Sequence, residues 1–283
     1  MSNFLHKPVT EPPNVTNCLI SYPAPYVLLV TINREKAMNS IPFSGHWEME
    51  EVFDWFDKEP NLRVAIITGV GKKAFCAGQD LIELGKLRSN PVRPSPALMR
   101  HPPSGFGAIS RRSGKKPIIA AVNGLALGGG FEIVLNCDMV VASPTATFGL
   151  PEAMRGIYAS AGGPARLVRN VGLPIASEVA LTGKQLTAQE ALDLHLINRI
   201  SPSPDTVVNE AVKLANGIAQ ISPDAAIVTR ASLREAWETA SVERATEIVQ
   251  QRYHEALLQG ENAKEGLEAF AQKRKPQWKA SKL

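Results

Sequence analysis

The 283-residue chain is 44% apolar and 20% charged, which suits a folded protein and excludes a disordered chain or a coiled coil. Its longest strongly apolar run, Tyr26 to Ile32, is far shorter than the ~20 residues of a membrane-spanning helix, and the polar, proline-bearing N-terminus lacks the apolar core of a secretory signal. The net charge of +4 is unevenly spread: Gly85 to Lys116 holds eight basic residues and Ala271 to Leu283 five, with no acid in either, leaving 18 basic against 27 acidic residues elsewhere and pointing to an anionic partner.

Residues 1–24 read as an N-terminal extension. Tyr26 to Asn33 predicts a buried strand, and Phe43 to Lys58 a helix with Trp47, Val52, Phe53 and Phe56 on its apolar side. Strands follow at Leu62 to Thr68, Pro117 to Val122 and Met139 to Ala142, with a helix over Phe131 to Cys137. Between them, Asn90 to Gly107 carries five prolines and reads as a mobile or irregular loop inside the domain. Beyond Gly162 the pattern is helical, at Ala165 to Asn170, Ala188 to Leu194, Pro204 to Ile218, Pro223 to Glu238 and Val242 to Leu258. Strands alternating with helices, then helices alone, predict an α/β core over 25–200 and a helical region over 201–283. Cys18, Cys76 and Cys137 are odd in number and show no CxxC spacing, so neither a disulfide framework nor a zinc site is expected, only free thiols in a reducing compartment.

The residues with chemistry in them are few. In Asn123 to Asp138, NGLALGGGFEIVLNCD, three consecutive glycines open a helix. Their entropic cost implies that something approaches the main chain closely, and a helix start offers unpaired N–H groups to negative charge. The Lys-Ser/Thr of a phosphate loop does not follow, and Glu132 sets a carboxylate on the first helical turn instead. Twenty residues on, Glu152 follows Leu150-Pro151; two carboxylates beside an anion-stabilising turn can divide acid and base work. A second small-residue turn, Ala77-Gly78-Gln79-Asp80 within KKAFCAGQD, presents a further backbone N–H. Just upstream, Gly69 to Ala74 matches GxGxxG/A only loosely, without the helix a dinucleotide site requires.

Five blocks, AFCAGQD, AAVNGLALGGGFE, FGLPEAMRG with its trailing AGG, LTGKQLTAQEALDLHLI and EGLEAFAQKRKPQW, stand in an order and spacing that resembles the enoyl-CoA hydratase/isomerase (crotonase) superfamily over roughly residues 25 to 279. The resemblance implies a crotonase-like core of repeated ββα units with a helical C-terminal region. It also implies an acyl-CoA hydratase or dehydratase that holds the thioester oxygen on the N–H groups of Gln79 and Gly129. By motif position Glu132 is the base for water, and Glu152 exchanges the proton at the α carbon. Arg34, Lys36 and Ala37, with Ala77 and Asp80, match the segments around coenzyme A, and Phe270 and Lys273 match the C-terminal positions that reach its adenine, often from a neighbouring subunit of a trimer or hexamer. Coenzyme A is then part of the substrate, and no separate cofactor or metal is implied. The terminal Ser281-Lys282-Leu283 matches the peroxisomal address SKL, which implies an import receptor as partner and a resemblance to fungal peroxisomal members of β-oxidation and of siderophore or toxin synthesis.

Three departures surround the acyl pocket: Ala159 stands where a proline is usual, Gln79 is long and polar where small residues are common, and the proline-rich loop is extended. They leave open a branched acyl-CoA substrate and the alternative of a double-bond isomerase. A nucleic-acid-binding protein is the reading from another class, disfavoured because Phe106 and Trp278 are the only aromatics in the two basic stretches.

Overall fold

The computed structural model describes residues 8–89, 95 and 99–283. The chain repeats strand, strand, helix: β1 (Cys18–Ala24), β2 (Val27–Ile32), α1 (Phe43–Lys58); β3 (Val64–Gly69), β4 (Ala74–Cys76), α2 (Leu81–Ser89); β5 (Ile118–Val122), β6 (Leu125–Leu127), α3 (Gly129–Asn136); β7 (Met139–Ala142), β8 (Thr147–Gly149), α4 (Gly163–Thr182). Then come β9 (Leu186–Thr187), α5 (Ala188–Asp193), β10 (Arg199–Ile200), α6 (Val207–Ala219), α7 (Pro223–Thr239), α8 (Val242–Leu258) and α9 (Glu261–Ala271). From the second repeat on, the two strands of each unit go to different sheets. The larger runs β1-β2-β3-β5-β7-β10, parallel except for the β1–β2 pair, and the smaller runs β4-β6-β8-β9, with only β8–β9 antiparallel.

Every residue of β3 and β5 is buried, as in parallel strands covered on both faces. On one face Val64, Ile66, Ile119, Ala121 and Val141 pack against Val207, Ala211 and Ala215 of α6, where alanines four residues apart let the helix lie close to the sheet. The opposite face carries the main core, including Met49, Val52, Phe53 and Phe56 of α1. That helix keeps its expected limits and buries Val52, Phe53 and Phe56 of its expected apolar side, but Trp47 is 44% exposed, and Phe43 and His46 are buried instead.

Several elements escaped the sequence reading. Strand β1 lies inside the residues read as an extension, and β4, β6, β8, β9 and β10 are too short to show periodicity. Helix α2 buries no residue, so it carries no apolar stripe to detect. The segment read as one short helix from Ala165 extends over Gly163–Thr182 with a break at Gly172. Of the proline-rich loop, Asn90 to Pro94 and Pro96 to Leu98 lie outside the described residues. Pro102 to Gly105 forms a turn that leads into a short 3-10 turn at Phe106–Ala108.

The two basic stretches are partly neutralised within the chain. Arg112 pairs with Asp57, and the buried Lys116 ammonium donates to the carbonyls of Phe56 and Glu59. Burial pulls its pKa down to about 8. In the tail Arg274 pairs with Glu265, while Lys279 and Lys282 both pair with Glu261. No helix among the described residues is long and apolar enough to cross a membrane.

Asp138 joins α7 to the main sheet. Its carboxylate accepts from Arg230 Nε at 3.0 Å, from Arg234 Nη2 at 2.8 Å and from the Ile118 amide at 2.8 Å, and the guanidinium groups hold its carboxyl below the usual range against the effect of burial. Removing one partner of a buried ion pair leaves the others uncompensated, so Asp138→Ala is expected to cost about 3–5 kcal/mol, read as a lowered midpoint in thermal or urea unfolding.

Candidate active site

Strands β4, β6 and β8 are parallel neighbours, so their C-terminal ends share one edge of the small sheet. From those ends leave the Ala77–Asp80 turn, the Gly128–Gly130 opening of α3 and the 3-10 turn Pro151–Arg155 that carries Glu152. Sheet topology therefore brings together three motifs that lie tens of residues apart in the chain.

The glycines are there because the space is taken. A Cβ on Gly130 would lie 2.1 Å from the Cys76 carbonyl oxygen, one on Gly129 would lie 2.6 Å from the Phe106 ring, and one on Gly128 would lie 2.9 Å from Glu152 Oε1. Gly128 also has φ 57° and ψ −126°, a conformation closed to residues with a side chain. The two turns face each other, since a Cβ on Gly78 would sit 3.4 Å from the Gly129 nitrogen. In the bridge between Ile41 and Gln79 the hydrogen bonds run from Ile41 N–H to Gly78 and from Asp80 N–H to Ile41. The amides of Gln79 and Gly129 themselves donate to no other group among the described residues. Two unpaired N–H groups on facing turns form a site for a developing oxyanion.

Both carboxylates border this site. Glu132 is 3% exposed, and its Oε1 accepts from the amides of Ala161 and Gly163, each at 2.8 Å. Burial pushes its carboxyl above the ordinary value, while the two amides and Arg166 restrain the rise. Glu152 has a buried Oε2 without a hydrogen-bond partner among the described residues. Burial, with repulsion from Glu132 added, raises its pKa to about 7. One carboxylate is thus oriented by donors and the other is left to take up or release a proton near neutrality.

A matching family model describes residues 25–281 as enoyl-CoA hydratase/isomerase. The chain belongs to the enoyl-CoA hydratase/isomerase family. It is 46% identical over 276 residues to a mevalonyl-coenzyme A hydratase of Beauveria bassiana, covering 96% of this chain and 98% of that protein. A mevalonyl-coenzyme A hydratase of Aspergillus fumigatus is also 46% identical, over 271 residues and with the same coverage. The crystal structure of an enoyl-CoA hydratase from Bacillus anthracis superposes with a TM-score of 0.84 at 31% identity, covering 94% of this chain and all of that one. The hydratase is accordingly a hydro-lyase with the crotonase-type fold, as the sequence implies.

The remaining residues expected around coenzyme A divide into two groups. Arg34 is tied to the Asp80 carboxylate at 2.9 Å and to the Ser40 carbonyl at 2.6 Å, while the Ala77 amide donates to Met38 next to Ala37, so Arg34, Ala37, Ala77 and Asp80 form one braced corner beside the oxyanion turn. Lys36 is exposed on the same corner. Phe270, 86% exposed, lies in the last turn of α9, and Lys273 follows that helix; no hydrogen bond or ion pair joins either to residues 34–37 or 77–80.

The sequence reading also missed a polar cluster. His46 and His101, with the Phe106 ring packed on both, hold the Gln79 side chain, whose Oε1 lies 3.0 Å from His46 Nε2 and 3.2 Å from His101 Nε2. The one available signal was His46 itself, a polar residue three positions from Phe43 on the buried side of α1.

Proposed function

We propose that this hydratase adds water to, and in reverse removes it from, the α,β double bond of a branched acyl-CoA of the mevalonyl type. The similarity to two mevalonyl-coenzyme A hydratases across nearly the whole chain carries this choice of substrate. In the hydration direction the thioester oxygen lies between the amides of Gln79 and Gly129. Glu132, anchored through Oε1, takes a proton from the water that attacks the β carbon. The negative charge passes to the thioester oxygen, and Glu152 delivers its proton to the α carbon. The turnover leaves Glu132 protonated and Glu152 ionised, and the reverse reaction starts from that state.

Around this centre, Lys36 and, from a C-terminal helix, Phe270 and Lys273 meet the nucleotide of coenzyme A, the helix being supplied by a neighbouring subunit of a trimer or of a hexamer. Lysine ammonium groups suit the phosphates as charge partners, and the exposed Phe270 ring suits the adenine face. The terminal Ser281-Lys282-Leu283 supports import into the peroxisome.

The test is hydration of the dehydrated mevalonyl thioester in parallel with crotonyl-CoA in water labelled at oxygen. Labelled product from the dehydrated mevalonyl thioester, formed faster than from crotonyl-CoA, supports the reading. Double-bond migration without label would replace it with isomerisation. A pH dependence also follows. The active pair holds one proton, on Glu152 for hydration and on Glu132 for dehydration. Because the overall equilibrium consumes no proton, kcat/KM in both directions must fall together as pH rises through about 7 and the pair loses that proton. Glu152→Gln is expected to abolish this limb in the residual activity.

A further inference from the structure

The Gln79 side chain has no role in the mechanism above, which uses only its backbone N–H. Its amide orientation is nevertheless fixed. His46 Nδ1 accepts from the Gly107 amide at 3.0 Å, so that ring nitrogen is unprotonated and the proton of the neutral imidazole sits on Nε2. His46 Nε2–H therefore donates to Gln79 Oε1, and His101 Nε2 approaches the same oxygen. Burial, followed by the nearby His101, depresses the His46 pKa to about 3, which keeps the ring neutral. With Oε1 committed, Gln79 Nε2 turns away from both imidazoles, and it is buried with no partner among the described residues. An unmet amide donor in a buried site is costly and invites a ligand acceptor.

The surroundings tie this donor to the oxyanion turn. It hangs from the residue whose main-chain N–H belongs to the oxyanion pair, so it lies within one side chain's length of the thioester oxygen. The Phe106 ring packs on His46 with centroids 4.5 Å apart, on His101 at 5.5 Å, and against the position a Gly129 side chain would occupy. Phe43 stacks on His101 at 6.1 Å. Among the described residues the cluster is otherwise made of the His46, His101, Phe43 and Phe106 rings, and the Gln79 amide supplies its buried donor without a partner.

We propose that Gln79 is a specificity-determining residue, its Nε2 donating to an oxygen on the acyl chain beyond the β carbon, such as a hydroxyl, with His46 and His101 as positioning residues that hold the amide in that orientation. The inference rests on the hydratase reading and deepens it, naming the group by which a hydroxylated acyl chain is told from an apolar one. A site built around a substrate hydrogen bond rejects the analogue that lacks the partner, because its own donor is then stranded.

The probe is a pair of β-methyl enoyl-CoA thioesters of equal length, one ending in a hydroxymethyl and the other in an ethyl group, with the ratio of their kcat/KM values as the readout. The wild type is expected to favour the hydroxylated thioester. Gln79→Met, which keeps chain length and the backbone N–H, should lower the ratio by about 10- to 100-fold. His101→Phe keeps the ring packing but removes a donor to Oε1, so it should shift the ratio in the same direction, and it serves as the test if Gln79→Met does not fold. Turnover of both thioesters with one ratio in all three proteins would overturn the inference and leave the hydratase reading standing. Turnover of neither by the wild type would overturn both.

Discussion

Glu152→Gln is expected to lower kcat for hydration by about 10²–10⁴-fold, the range that positioned proton transfer contributes, with little change in KM or thermal stability. The side chain keeps its shape but can no longer cycle a proton to the α carbon. The wild-type carboxyl is suited to that task because its pKa is raised to about 7 by burial and by the neighbouring Glu132, so both forms are populated near neutrality. Glu132→Gln is expected to be as damaging for a different reason. Its amide oxygen can still accept from Ala161 and Gly163, so the side chain stays in place, but no base remains for the water. The separating measurement is exchange of the α proton of a saturated acyl-CoA with heavy water, which Glu152→Gln should suppress and Glu132→Gln should leave measurable. Exchange undiminished in Glu152→Gln would remove that residue from the assigned role.

Gly130→Ala is expected to be the most damaging exchange of a single small residue. The added carbon would stand 2.1 Å from the Cys76 carbonyl, an atom of β4 that cannot yield without shifting the strand and the Gln79 turn beyond it. A displacement that misaligns one oxyanion donor costs about 2.7–4 kcal/mol of barrier, roughly 10²–10³ in kcat. A lowered melting temperature should accompany it. Gly217→Ala is the control: it lies within α6 with nothing inside 4 Å of the added carbon, and it should gain about 0.5–1 kcal/mol of stability with kcat unchanged. Equal kinetics for the two variants would contradict the close-packed account of the glycine turn.

What the sequence revealed follows the range of the interactions involved. Helix α1 and strand β7 were readable to the residue because propensity and periodicity are local signals. Glu132, Glu152, Gln79 and Gly129 were legible as motifs, but their meeting depends on strands β4, β6 and β8, of three residues each, which no periodicity betrays. The orientation of Trp47 was misread because an aromatic ring at helical spacing looks like core, whereas burial on that helix went to His46, whose hydrogen bonds to Gln79 and Gly107 make a buried imidazole tolerable. The Gln79 cluster draws on four separate segments, so it exists only once the chain has folded.

The two donors assigned to the oxyanion belong to the main chain, and this separates the fate of the reaction from the fate of its specificity. On the proposed reading, a point substitution at residue 79 changes what the acyl pocket recognises while the amide assigned to the oxyanion stays in place, held by the Ile41 bridge on either side. Glycine at residue 130 has no such freedom, because its contact is with backbone. On that reading, the acyl group recognised can be altered through one side chain while both main-chain donors keep their positions.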